Sequence, residues 1–487
     1  MTTNTQSTFG LRSWLTAAVP FVLMGGAAAL LTVLVALGEV RLAVSASILL
    51  VLLGLALMDI RFAIVGLFTY LTFLGDLRRL LTPMVGWSAN DPMILIGPIV
   101  TLLLFAGAAL SGRMNIGSPV AKAVALFMGF MFLQIFNPVQ GGLMVGVAGA
   151  MLYLVPMFWF WIGRVYATPD LIHSWLYRIM PVLALVAAAV GLYQVMYGWL
   201  PYQLEWYRVA GYSALGPRED LLRSISIFPN LTEYIHYLGI TIVSCAAALF
   251  KRRWAYLLLI PVLFLAVFLA GSRGPIVQIL FVVSLLFTVQ GRSVATWAPR
   301  LVFTLLLGGA FLVWGLNQAE LASSQGLGNE RVGHVLGRQA DLLPESGSGG
   351  TLAIHTNLMW LGIKWGFEQP LGRGIGATTL AAGKYGSGGG STEKDISDMF
   401  LAGGVVGGLL YLVLVLMIAT QAVRYWQHER SLVALAIIGL LAFTGLSWLK
   451  PGQYVLTPII WFIIGAMDRF YTASTATDDG DSVPKAS

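Results

Sequence analysis

Apolar residues in this chain come in long unbroken runs, with polar residues confined to short punctuation between them. The stretch "FLAVFLAGSRGPIVQILFVV" (264–283) is typical: two apolar runs meet at Ser272, Arg273, Gly274 and Pro275 with almost no loop. A hydrocarbon core about 30 Å thick takes roughly 20 apolar residues as a helix. Continuous runs suit helices, whereas the strands of a membrane barrel alternate apolar and polar positions. Runs fall near 17–37, 43–58, 62–75, 93–110, 120–136, 142–162, 172–197, 231–250, 254–270, 275–290, 298–316, 397–420, 431–448 and 453–467. Several are short, and the pair flanking "DIRF" (59–62) reads either as two crossings or as one crossing broken in the middle. The pattern predicts about 12–14 transmembrane helices. The first run has no convincing cleavage site and is followed by many more, which marks it as retained.

Composition sharpens this into a class. Of 487 residues, 57% are hydrophobic and 10% charged, which excludes an ordinary soluble domain. The single cysteine, Cys245, lies inside a run, so neither a disulfide nor a cysteine-rich metal site is expected. The expected fold is an all-α polytopic membrane protein with a large outer loop carrying short helices.

Charge sets the expected orientation. With both termini in the cytoplasm, fifteen of the 29 lysines and arginines fall inside, eight on short outer loops and six in one long outer segment. Long segments translocate regardless of charge, so the bias supports that orientation, anchored by "KRR" (251–253) and "RYWQHER" (424–430). The chain then divides into N-terminal transmembrane helices (1–197), a periplasmic loop (198–230) and a second membrane block (231–316). A large periplasmic loop (317–396), C-terminal transmembrane helices (397–470) and a cytoplasmic tail (471–487) of disordered composition follow.

Against this bias, Arg208, Arg218, Arg223 and Arg273 fall on the outer side. Loop arginines there can be neutralised by Glu205, Glu219 and Asp220, or snorkel to head groups. Arg273 joins two spans directly, so it sits at the membrane boundary and needs a partner. An anionic head group held at the outer face would provide one. Two outer segments are large enough to build a site. The 198–225 segment combines aromatics with arginines, as an interfacial belt or a sugar platform would. In the longer loop, Arg331, His334 and Arg338 share a helical face. The stretch "IHTNLMWLGIKWGFEQPLG" suits either a helix on the membrane surface or one packed against the bundle. The glycine-rich "GKYGSGGGSTEKD" has the composition of a hinge.

No Walker loop, dinucleotide fingerprint, zinc spacing or nucleophile elbow occurs. Inside the runs there is little polarity besides Gln134, Gln194 and Gln278. Three stretches together, "RSISIFPNLTEYIHYLG" (223–239), "AGSRGPIVQ" (270–278) and "LMWLGIKWGFEQPLGRGIGATT" (358–379), carry a likeness. With the following "DISDMFLAGGVVGGLLY", they resemble the O-antigen ligase and O-antigen polymerase (Wzy-type) family over roughly 200–420.

That resemblance implies a metal-independent glycosyltransferase of the bacterial inner membrane with no cofactor, its active site facing the periplasm. The donor would be an undecaprenyl-pyrophosphate-linked glycan. Partners would be membrane lipid and a polysaccharide chain-length regulator, with no nucleic acid. Arginine's planar fork suits a pyrophosphate, which makes Arg223 and Arg273 the leading ligands and Arg208 and Arg218 further ones.

Ligases of the family carry a histidine just before the re-entry helix, and here "STEKDISD" has none. The local carboxylates Glu393, Asp395 and Asp398 are the candidate bases, with His355 and His334 as fallbacks. Acids at a helix start are also explained by the helix dipole. The missing histidine shifts the expectation from a lipid A–core ligase toward a polymerase for exopolysaccharide, capsule or O-antigen. A transporter of anionic or lipid-linked substrate is the third reading, although no internal repeat or midplane polar site supports it.

Overall fold

Backbone amides in lipid have no water to bond, so each run must close its own hydrogen bonds as a helix, and capping residues decide where each helix stops. The computed structural model describes residues 26, 28–211, 216, 221–291, 294–324, 330–340, 351–386, 390–392, 394–445 and 447–481. Residues 28–36 are helical, and residues 17–25 and 27 of the first expected run lie outside the described residues.

The membrane helices that follow are α1 (Val40–Met58), α2 (Ile60–Val85), α3 (Met93–Leu110), α4 (Pro119–Leu133), α5 (Leu143–Tyr166) and α6 (Pro169–Tyr197). The short α7 (Pro201–Ala210) precedes α8 (Leu231–Phe250), α9 (Leu259–Leu269), α10 (Gly274–Val289) and α11 (Val294–Ser324). The large loop contributes α12 (Glu330–Ala340), α13 (Thr351–Glu368) and α14 (Leu380–Tyr385). Then come α15 (Asp395–Glu429), α16 (Leu432–Thr444) and α17 (Leu456–Asp481). Among the described residues, nine helices are long and apolar enough to cross a membrane, and three shorter apolar ones accompany them.

Two expectations resolve at particular residues. The "DIRF" pair is two crossings: Asp59 is extended, its side chain caps α2 by accepting from the Arg61 amide (2.8 Å), and α2 packs back along α1. The run expected over 62–75 is longer than its apolar core. It continues through Arg78 and Arg79 to Val85, because both arginines find partners within the fold. At the other end of the chain, α17 continues to Asp481, past the start of the segment whose composition suggested disorder.

The core sits between α5 and α17. A methyl group at Gly163 would collide with the Phe462 carbonyl, and one at Gly465 with the Phe160 carbonyl. The two helices therefore meet backbone to backbone, the close approach that small residues permit in lipid. Trp461, Ile459, Ile460, Ile463 and Ile464 are fully enclosed, and α8 is buried almost throughout. By contrast, none of the described side chains in the apolar window of α11 is buried, as expected for a helix that turns side chains to lipid tails.

Loops segregate to two ends. One, the long-loop end, brings together the segments around Gly86, Asn137, Gly198, Phe228, Gly372 and Gly452. The other, the short-loop end, joins Arg253 to His173, Lys251 to the Arg430 carbonyl, and Arg469 to the Val165 and Ala167 carbonyls.

Candidate functional site

Polar side chains inside the bundle concentrate at the long-loop end, where they tie loops to helix ends. Gln194, buried in the last turn of α6, accepts from Ser224 Oγ (3.0 Å) and from the amides of Ile225 (3.1 Å) and Ser226 (2.8 Å). Arg79, 1% exposed, donates to the carbonyls of Ser226 (2.8 Å) and Phe228 (3.1 Å). Its guanidinium also lies 5.9 Å from the ring centroids of both Trp199 and Trp206. These bonds pin the "RSISIFPN" segment against α2 and α6.

Asp76 completes this knot, accepting from Tyr202 (3.0 Å) and Gln203 (3.0 Å) and lying 3.6 Å from Arg79. Burial, then the Asp76 carboxylate, pushes the Tyr202 hydroxyl up to about 12, so it stays a donor. A second knot joins Arg41 (2.7 Å) and Arg78 (3.0 Å) to the buried Asp91, fixing the start of α1 against α2.

The next knot rests on a reversal inside α15. Gly404 has φ 65° and ψ −163°, a conformation closed to other residues. Phe400 packs on Gly408, and the Asp395 carboxylate accepts from the Tyr411 hydroxyl (2.8 Å), sixteen positions on. A straight helix would hold those two residues about 24 Å apart. Residues 395–403 are therefore a half-helix folded back on the crossing that follows, not the start of one continuous span as expected over 397–420.

The half-helix starts inside the bundle. Asp395 also accepts from the Leu449 amide (2.7 Å). Asp398 accepts from Ser391 Oγ (2.7 Å), the Thr392 amide (2.6 Å) and Thr392 Oγ1 (2.8 Å). Both carboxylates are almost fully buried and interact electrostatically with Lys450. Helix α13 lies along this half-helix, with Gly362 on Ser397 and Gly366 on Phe400, so its packing against the bundle is what the structure shows. The following turn inserts Gly376 against Gly149 and Val145 of α5, and Tyr153 meets Thr378 (2.7 Å).

Helix α8 supplies the facing wall. Asn230 caps it, accepting from the Glu233 amide (2.8 Å) and donating to the Gly452 carbonyl (2.9 Å). Glu233 accepts from the amides of Val455 and Leu456, which fixes the loop bearing Lys450. One turn on, His236 Nδ1 donates to the Thr232 carbonyl (2.7 Å), because a carbonyl can only accept. In the neutral ring this leaves the lone pair on Nε2. His236 is within electrostatic reach of Lys450 and Lys394. Lys450 thus lies within electrostatic reach of Asp395, Asp398 and His236, which come with it from three segments distant in sequence.

The sequence-derived site residues distribute unevenly around it. Asp395 and Asp398 belong to the cluster. Glu393 and Arg218 lie outside the described residues, as does the side chain of His355 on α13. Arg208 is exposed on α7, Arg223 is half-buried just ahead of the pinned 224–228 segment, and Arg273 occupies the N-cap position of α10. His334 lies on α12, which packs across the ends of α6 and α9; there the Arg331 guanidinium lies against Gly198, and Val335 faces Gly271 beside Arg273. Sequence reading missed Arg41, Arg78, Arg79, Asp91, Glu233, His236 and Lys450. Its best signal was "GDLRRLL", whose charges interrupt an apolar run. Among the described residues, no group of three His, Cys, Asp or Glu side chains is placed to hold a metal ion.

The fold and these buried polar knots define a multi-pass, all-helical membrane protein. Compared with models of known families and with curated proteins, the chain matches none.

Proposed function

We propose that the protein is a membrane glycosyltransferase that polymerises undecaprenyl-pyrophosphate-linked oligosaccharide repeat units at its long-loop end, the periplasmic face. The observation that carries this reading is the clustering of Asp395, Asp398, Lys450 and His236 beside the very segments whose motifs resemble the O-antigen ligase and polymerase family. In the reaction, an acceptor sugar hydroxyl attacks the anomeric carbon of the donor. The bond from that carbon to the pyrophosphate oxygen breaks, and the leaving pyrophosphate takes the electron pair. The hydroxyl proton goes to a base.

Arg273 and Arg223 are the pyrophosphate ligands in this reading, with Arg208 and Arg218 at the margin, because cations aimed at the leaving group lower the barrier most where charge develops. Asp398 spends both oxygens on the Thr392 amide and on hydroxyls, and Asp395 spends Oδ2 on the Leu449 amide and the Tyr411 hydroxyl, which suits them to positioning. His236, with Nε2 as acceptor, is the base this geometry favours.

Purified protein supplied only with undecaprenyl-pyrophosphate-linked repeat units, in EDTA, is expected to produce a ladder of longer lipid-linked glycans and release undecaprenyl pyrophosphate. A ladder that needs added lipid A–core acceptor would establish a ligase instead. Donor accumulating across a vesicle membrane with no new glycosidic bond would establish a transporter.

A further inference from the structure

We propose that a cavity of about 510 Å³ at the short-loop end binds an anionic phospholipid of the adjoining leaflet, with its phosphate on Arg424. The cavity opens between the start of α4 and helices α5, α15 and α17. Its size falls within the range of roughly 300–1,000 Å³ typical of small-molecule sites.

Its floor is electrically closed. Arg164 pairs with the fully buried Asp468, which also accepts from Ser118 Oγ (2.7 Å) and Gln421 Nε2 (2.8 Å). One cation meets one anion there, and every oxygen of Asp468 is engaged. Arg424, one turn beyond Gln421 on an exposed part of α15, then leaves the lining with an excess of one positive charge.

The wall beneath Arg424 is apolar. Val413, Leu416 and Met417 precede Thr420 and Arg424 on the same face of α15, at helical spacing. Val413 is 52% and Leu416 65% exposed. An apolar track ending in a cation at the membrane boundary matches an acyl chain ending in a phosphate. A water-soluble phosphate would have no use for the track, and a neutral lipid no use for the arginine. Basic pockets between membrane helices at one face suit anionic head groups. The site lies at the opposite end from the carboxylate–histidine cluster, so it does not depend on the glycosyltransferase reading.

The test uses the full-length protein in neutral detergent, titrated with phosphatidylglycerol or phosphatidylcholine, with bound lipid counted by native mass spectrometry and melting followed in parallel. Phosphatidylglycerol is expected to be retained and to raise Tm, and phosphatidylcholine to do neither. Arg424→Ala should weaken retention about fivefold, the weight of one basic residue at an anionic surface. Arg424→Glu should abolish it, Arg424→Lys should keep most of it, and Leu416→Gln should weaken it with the charge intact. Because Arg424 is exposed, these proteins should fold as the parent does, which their Tm without lipid checks. Equal retention of the two lipids, or unchanged retention in Arg424→Glu, overturns the proposal. Protection by glycerol phosphate alone matching that by phosphatidylglycerol overturns the lipid as occupant.

Discussion

At the scale of the residue, buried charge in this protein has two different employments. Arg79 and Asp398 are consumed by local structure, each bonded to backbone groups or hydroxyls. Removing Asp398 with Asp398→Ala leaves the buried Thr392 amide without its acceptor. It should cost about 1–3 kcal/mol, read as a lower temperature of half-inactivation. In the proposed reaction His236 and Arg273 act as chemical groups, so their substitutions should separate activity from stability. His236→Gln is expected to lower polymer formation on the order of 10²-fold or more, the scale of a general base, with donor binding and Tm little changed. Full turnover in His236→Gln would return the base to the carboxylates or to His355. Arg273→Ala should abolish transfer at wild-type expression, and Arg273→Lys should recover little, since an ammonium cannot make the bidentate fork. Normal polymer length from Arg273→Ala would remove it from pyrophosphate binding.

At the scale of the element, the half-helix 395–403 depends on a single backbone reversal. Gly404→Ala forces a glycine-only backbone conformation on an ordinary residue, which costs about 1–3 kcal/mol, and drives a methyl group into the Pro370 carbonyl. The expected result is loss of activity together with lowered thermal stability, whereas an unchanged protein would mean that 395–403 is not held folded back. This reversal shows how far the sequence was legible. Runs were readable because span length is a local property, whereas "DIRF" stayed open between one crossing and two until the Asp59 cap showed two. The fold-back was not readable, because "AGGVVGG" is as apolar as the spans around it and its only mark was glycine. Asp395 and Asp398 could be nominated from their position before a re-entry helix. Lys450 and His236 could not, since each reaches the cluster only through contacts between distant segments, such as Asp395 with Leu449 and Asn230 with Gly452.

At the scale of the whole molecule, the two ends carry different chemistry, and the orientation decides which faces the periplasm. Cys245, the one native cysteine, is buried, so single introduced cysteines can report sidedness over a low background. Asn90→Cys and Lys384→Cys, at exposed positions of the long-loop end, should react with an impermeant thiol reagent on intact spheroplasts. His428→Cys, exposed at the other end, should react only after lysis. The reverse pattern would turn the proposed active site toward the cytoplasm, where an outer-leaflet donor could not reach it.

The backbone contact between α5 and α17 also has a temporal side. Arg469 of α17 bonds the Ala167 carbonyl, 302 positions earlier. At about 5–20 residues per second, synthesis of the intervening chain takes roughly 15–60 s. Throughout that interval α5 stands in the membrane with its Gly163 notch unfilled, and the centre of the bundle waits for a helix not yet made. Biogenesis of this protein should therefore lean on whatever shelters unpaired helices beside the insertion machinery, and a ribosome stalled before Leu456 should leave a chain fully inserted yet open to proteolysis.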